Sequence, residues 1–489
     1  MIGLLYSSDG TLSTGETLAL KIATPVGSLF GQLIFGWLAD VVGRKRMYGV
    51  ELIIMLVATF GQTIAGQSRG VNIFGVLVVW RFIMGIGIGG DYPLSAVITA
   101  ELAATKFRGR MMSAVFAMQG IGSLIAGIVA LIAIVSFKEH ILHAETDDSV
   151  DRIWRIVIGV GMVPAALALY FRMSIPETPR FTMDVERDID QAEQDANFVK
   201  DGKFERLEDR VVNRIDVKKA SRRDFKAYFS RKENLKVLFG CAWSWFALDF
   251  AFYGLGLNPS IIFSAIGFGT SSIDHSNRGV YKSMYNLAVG NIILSLAGLI
   301  PGYWLSFVFI DLIGRKAIQL IGFCLLGIIF LIMGFGYGSI VAGGHNIAFA
   351  FLYALANLFQ NFGPNTTTFI IPGEVFPTRY RATAHGISAA SGKLGAVLAQ
   401  VMFTLLLGAA DSKDDENKQV KTILITLGFF MLTGIWSTLL LPETKGRTLE
   451  DLSNEQEETN VYLQETFSVV DIEQPSTSTS RTNWIRFRR

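Results

Sequence analysis

The chain has 489 residues, of which 51% are hydrophobic and only 18% charged, against about 25% charged in ordinary soluble domains. With a mean hydropathy of +0.40 and long apolar stretches recurring along it, the chain is too apolar for a soluble globular fold. The formal net charge of +2 carries no information as a total; only its distribution along the chain does.

A membrane-crossing helix needs about 20 predominantly apolar residues. Taken in order, such stretches fall at 20–40, 48–67, 72–98, 111–136, 153–173, 235–257, 284–308, 317–338, 346–371, 384–409 and 421–441, which makes eleven spans. A charged segment, 178–234, separates the fifth from the sixth, and a polar tail, 448–489, follows the last. The expected organisation is an N-terminal half (1–177), a central cytoplasmic loop (178–234), a C-terminal half (235–447) and a disordered, solvent-exposed cytoplasmic tail (448–489) rich in Ser476, Ser478 and Ser480. Cys241 and Cys324 lie inside apolar stretches and read as small buried hydrophobes. No cleavable signal peptide is visible, since Met1–Leu5 is too short for an apolar core.

The loops alternate in charge. One set carries Arg44, Lys45 and Arg46, then Lys106, Arg108 and Arg110, then Arg315 and Lys316, then Arg379 and Arg381, then Lys445 and Arg447. The other set is poorer in cations, so the first is expected to face the cytoplasm. The sequence also repeats itself. Asp40-Val41-Val42-Gly43-Arg44-Lys45 returns as Asp311-Leu312-Ile313-Gly314-Arg315-Lys316, an offset of 271 (311 − 40), and at that offset Gly27 and Gly31 fall on Gly298 and Gly302. Paired halves of this kind are the sign of a secondary transporter. In the second half two spans precede the repeated loop and in the first half only one, so the expectation is that a first helix is missing from this chain, the alternative being an unusual eleven-span form.

Charged groups within a span cost at least about 2.5–3.5 kcal/mol in lipid, so those that persist face the bundle interior and mark function. Glu51, Arg81, Asp91, Asp249, Glu374 and Lys393 stand out. Asp91, in Gly85-Ile86-Gly87-Ile88-Gly89-Gly90-Asp91-Tyr92-Pro93, is placed to exchange a proton; the alternative is a structural pair with Arg81. Trp245, Asp249 and Tyr253 recur every four residues and share one helix face, a polar patch suited to a small hydrogen-bonding solute unless it only packs against a neighbouring helix. Asn357, Asn361 and Asn365 repeat that spacing, as ligands or as interhelical glue. Gln119 is a weaker signal of the same sort. Lys393 is a lone cation that snorkels, binds an anion or partners a carboxylate. His140 and His143 lack further ligands for a metal, no nucleophile–base arrangement can be assembled, and the basic loops follow from topology without nucleic acid.

These residues resemble a known family. Gly36-Trp37-Leu38-Ala39-Asp40-Val41-Val42-Gly43-Arg44-Lys45-Arg46, Pro176-Glu177-Thr178-Pro179-Arg180 and Pro442-Glu443-Thr444-Lys445-Gly446-Arg447 are similar to motifs of the major facilitator superfamily. Gly89-Gly90-Asp91-Tyr92-Pro93-Leu94-Ser95 resembles the signature of its phosphate:proton symporters, supported by Asn361-Phe362-Gly363-Pro364-Asn365 and Gly373-Glu374-Val375-Phe376-Pro377-Thr378-Arg379. The resemblance implies an all-α major facilitator fold of two pseudo-symmetric six-helix halves, here lacking the first helix, that imports inorganic phosphate with protons across the plasma membrane. It implies Tyr92, Gln119, Trp245, Asp249, Tyr253 and Asn357 as phosphate ligands, and Asp91 and Asp249 as proton-linked acids. Glu51 and Arg81 follow as members of the proton route, and Lys393 as an anion-binding or coupling cation. It implies no cofactor, and membrane lipid as the only other partner. The acid that family members carry in the first span is absent with that span. A sugar or organic-ion porter of the same fold, or a phosphate receptor that does not transport, stands as the alternative.

Overall fold

A computed structural model of the chain describes residues 2–6, 12–143, 146–186, 221–259, 276–342, 344–408 and 412–453, together with 188, 191, 193–197 and 263. Residues 201–220 of the central segment and the tail beyond 453, with its serine run, lie outside the described residues.

The described residues are almost wholly helical, and ten helical stretches are long and apolar enough to cross a membrane. In the first half they are α1 (Thr14–Val42), α2 (Arg44–Ile64), α3 (Ile73–Leu102), α4 (Arg108–Ser136) and the pair α5 (Thr146–Val160) and α6 (Met162–Ser174). In the second half they are α7 (Lys232–Gly256), the pair α8 (Asn277–Leu294) and α9 (Ile300–Ile313), α10 (Arg315–Phe335), α13 (Arg381–Gly408) and α14 (Lys413–Leu439). The span expected at 346–371 is not one helix. It is split into α11 (Asn346–Asn361) and α12 (Pro364–Val375), each too short to count among the ten. Pro364 has no N–H to continue the ladder and disfavours helical geometry at the residue before it, and Gly363 accordingly sits at φ −160°. The tail also begins differently from expectation: Leu449–Ser453 form a short helix in which Leu449 and Ser453 are buried.

Glycine lets the helices touch. A Cβ on Gly27 or Gly31 would meet the Phe82 and Ile86 carbonyls of α3 at under 3.0 Å. One on Gly298 or Gly302 would meet the Asn357 Cβ and the Leu358 carbonyl of α11, also under 3.0 Å. The repeated glycines thus do the same work in each half, seating one helix on the helix two spans later. Between α8 and α9 the chain passes through a π-helical turn, Ser295–Leu299, which packs on α11.

The repeated Asp-x-x-Gly-Arg-Lys loops are built alike as well. Gly43 and Gly314 take positive φ values of 116° and 108° between consecutive helices, a region that only glycine enters freely. The freed N–H groups at the start of α2 and α10 are taken up from a distance. Glu177 accepts from Arg44 and Lys45 N–H at 3.2 Å and 3.1 Å, and Glu443 from Arg315 and Lys316 N–H at 3.0 Å and 3.1 Å. A carboxylate at a helix N-terminus is favoured by the helix dipole as well as by the hydrogen bonds.

The halves meet along two seams, α1 on α13 and α4 on α8 and α9. At the end that carries Gly43 and Gly314, buried ion pairs cross between them. Arg108 reaches Glu374 at 2.8 Å and Arg381 reaches Glu101 at 2.8 Å, and Asp40 accepts from the Thr383 N–H and hydroxyl at 2.7 Å each. Thr178 donates to Glu101, and Thr444 donates to Glu374. The two crossed pairs share one offset, 273 (374 − 101 and 381 − 108), so they are pseudo-symmetry mates. Glu374, singled out in the sequence for its place within a span, belongs to this closure and not to the interior cavity described below.

Candidate functional site

The stripe on α7 sits at the junction of the halves. Asp249 is 2% exposed, and Lys393 of α13 donates to its Oδ2 at 2.8 Å and to the Tyr253 hydroxyl at 3.0 Å. Lys393 is therefore a carboxylate's partner, and the snorkelling alternative is excluded: its head stays inside, also 2% exposed. Gly392 makes the approach possible, since a Cβ there would meet Asp249 Oδ2 at 2.8 Å and the Trp245 ring. From the first half, Tyr92 of α3 closes the group. Its ring lies 4.9 Å from Lys393 Nζ and 6.2 Å, centroid to centroid, from Trp245. Trp245, Phe116, Phe369 and Tyr303 continue this aromatic layer toward α4, α9 and α12.

Beyond Tyr253, away from the crossed ion pairs, opens a cavity of about 470 Å³. Gln119 of α4, Tyr253 of α7, Asn291 and Ser295 at the π turn, and Asn357 and Gln360 of α11 give it its polar walls. None of the described residues lining it is charged. Of the six residues that the resemblance implied as ligands, Gln119, Tyr253 and Asn357 line the cavity, while Tyr92, Trp245 and Asp249 stand behind its inner end. The three asparagines form a ladder across the helix break: Asn361 Nδ2 bonds the Asn357 carbonyl at 2.7 Å, and Asn365 Nδ2 bonds Asn361 Oδ1 at 2.7 Å and the Tyr303 hydroxyl at 2.8 Å. Tyr303 in turn donates to Gln119 Oε1 at 3.2 Å.

Asp91 lies elsewhere in the first half, and the Arg81 pairing considered for it does not form. Arg81 is roughly three turns away on the same helix, and its Nε is buried without a hydrogen-bond partner among the described residues. The actual partner is Arg172 at the end of α6, whose Nη1 lies 2.8 Å from both Asp91 and Glu51. Ser95 donates to Asp91 at 2.8 Å, Arg172 stacks on Tyr48 at 4.1 Å, and Glu51 Oε2 has no partner among the described residues. Two carboxylates thus share one guanidinium. Sequence reasoning missed Arg172 because it stands near the end of an apolar run, where a cation reads as interfacial.

The comparisons agree with this architecture. The profile of the family described as sugar (and other) transporter matches residues 5–455. The chain belongs to that family. Among curated relatives, this transporter is 45% identical over 474 residues to the repressible high-affinity phosphate permease of Neurospora crassa, covering 93% of this chain and 82% of the relative. It is 44% identical to the inorganic phosphate transporter PHO84 of Saccharomyces cerevisiae (93% and 79%) and 39% identical to inorganic phosphate transporter 1-1 of Arabidopsis thaliana (94% and 90%). Among solved structures, the major facilitator superfamily proton:xylose symporter XylE bound to 6-bromo-6-deoxy-D-glucose superposes with a TM-score of 0.64 over 92% of each chain. At 17% identity that likeness concerns the fold alone, which is the major facilitator fold. The transporter is thus a multi-pass membrane protein and not an enzyme.

Proposed function

We propose that this transporter imports inorganic phosphate together with protons by alternating access across the plasma membrane, with the loop end cytoplasmic. The observation that carries the substrate is the set of relatives, each 39–45% identical over more than 90% of this chain and each named for phosphate. The residues supply a chemistry that fits. The Tyr253 hydroxyl, which accepts from Lys393, stands between that cation and the cavity. With Asp249 ionised, the charge of Lys393 is neutralised locally. A proton on Asp249 leaves the Lys393 charge unbalanced beside the cavity, and an oxyanion then binds more tightly. By linkage the bound oxyanion favours the proton to the same degree, which is symport stated as coupled equilibria. The Glu51–Arg172–Asp91 cluster, two acids on one guanidinium, supplies a second proton station.

Ion pairs close the loop end and the cavity lies toward the other, so the structure reads as the outward-facing member of the cycle. The test is uptake into vesicles reconstituted with the full chain. Phosphate uptake is expected to rise as the external pH falls, to be competed by excess phosphate but not by glucose or xylose, and to be lost in Asp249→Asn. Uptake indifferent to pH and surviving that substitution would sink the proposal. One observation favours a second reading, a sugar porter: the polar groups among the described cavity lining are amides and hydroxyls without a charge, which suits a polyol. Competition by xylose in place of phosphate would establish it. Binding without flux would instead indicate a receptor.

A further inference from the structure

Gln360 lies one turn beyond Asn357 on α11, just before the chain breaks at Phe362 and Gly363. It is 5% exposed and lines the cavity, yet its Nε2 has no hydrogen-bond partner among the described residues. Its polar neighbours are otherwise engaged. Asn357 Nδ2 bonds the Tyr353 carbonyl at 2.9 Å, and across the cavity Asn291 Nδ2 bonds the Leu287 carbonyl at 2.9 Å. A buried donor left open in a native structure calls for an explanation, and a ligand oxygen is one. Tyr253, whose hydroxyl accepts from Lys393, lines the same space. An unpartnered buried donor on a residue that lines the cavity, with no charged residue among the described lining, suits an acceptor oxygen that arrives with the solute.

We propose that Gln360 is a further substrate-binding residue, donating from Nε2 to an oxyanion oxygen. This rests on the phosphate reading of the site. It gives Gln360 a role distinct from that of Asn357: the Asn357 donor is held by its own helix, whereas the Gln360 donor lacks a partner until a small turn of its side chain meets the solute. The side chain's charge and donor count then set the anion preference of the cavity. Gln360→Glu is nearly isosteric but replaces two N–H donors by a charged acceptor, which repels an oxyanion while remaining tolerable to a polyol.

The experiment measures phosphate binding and uptake by the purified, reconstituted full chain, with thermal melting in detergent as a fold control. Gln360→Met, which keeps length and flexibility, is expected to raise the KM for phosphate about tenfold, the loss of one hydrogen bond to an ionised acceptor. It should leave the melting temperature without phosphate within a few degrees of the parent and abolish most of the shift that phosphate induces. Gln360→Glu is expected to lose phosphate binding altogether. Parental KM and parental phosphate-induced shift in Gln360→Met overturn the proposal, as does a loss of melting temperature in both variants with the phosphate shift intact, which marks Gln360 as structural. Failure of the parent chain itself to bind phosphate overturns the functional reading instead, and the two failures are told apart by that control.

Discussion

At the scale of single residues, the site is an exercise in placing one cation against more than one anion or dipole. Arg172 is the sharpest case, because both Glu51 and Asp91 depend on the same Nη1. Removing one partner of a buried pair leaves the other charge uncompensated, a penalty of about 3–5 kcal/mol. Arg172→Leu is therefore expected to lower phosphate uptake at least tenfold and flatten its pH profile, with Arg172→Lys retaining part of both. A leucine variant with the parental rate and pH profile would remove the cluster from the proton route. The Asp249 stripe could be read from the sequence because a carboxylate at helical spacing among aromatics has few structural excuses. Arg172 could not, since a cation near the end of a span is ordinarily explained by topology, and Gln360 passed unread because an uncharged amide in an apolar run gives no alarm. The same bias hid Arg108, which was counted as a loop charge, and Glu101, which was not singled out; both are buried in the closure.

At the scale of elements, spans are easy and interruptions are hard. Hydropathy averages over a window, so ten of the expected spans coincide with continuous apolar helical stretches, several of them longer than expected. The break between α11 and α12 was written in Gly363-Pro364, but inside an otherwise apolar run the pair was read as part of a family motif and not as punctuation. The π turn at Ser295–Leu299 has no comparable sequence mark; it emerges from packing on α11. Glycine contacts are the elements' chief constraint. Gly31→Val would drive its side chain into the Ile86 carbonyl, backbone that cannot swing aside. Overpacking of this kind costs about 1–3 kcal/mol or more, and the variant should melt several degrees below the parent in detergent or fail to accumulate. Unchanged melting would show that α1 and α3 sit less tightly together.

At the scale of the whole molecule, buried ion pairs join the halves at one end and an apolar cluster joins them at the other. On that second side Ala133 and Ile134 of α4 pack with Val280, Met284 and Ala288 of α8, and Lys21 of α1 donates to Asn258 at 2.6 Å, itself bonded to Gln400. Ser123 lines the cavity on that side and offers a reporter. In a background freed of Cys241 and Cys324, Ser123→Cys should react with a membrane-impermeant maleimide added outside. Adding Arg381→Ala or Glu374→Gln should slow that reaction by releasing the ion-paired closure at the opposite end, and rates unmoved by either would deny the closure any hold on the equilibrium.

The crossed pairs Arg108–Glu374 and Arg381–Glu101 occupy equivalent positions about the same pseudo-two-fold axis, so a rocking of one half against the other loads both. With one pair broken, the other still bridges the halves. Such a double latch makes parting at this end an all-or-little event, which serves a carrier that must not leave a continuous leak between the two sides of a membrane.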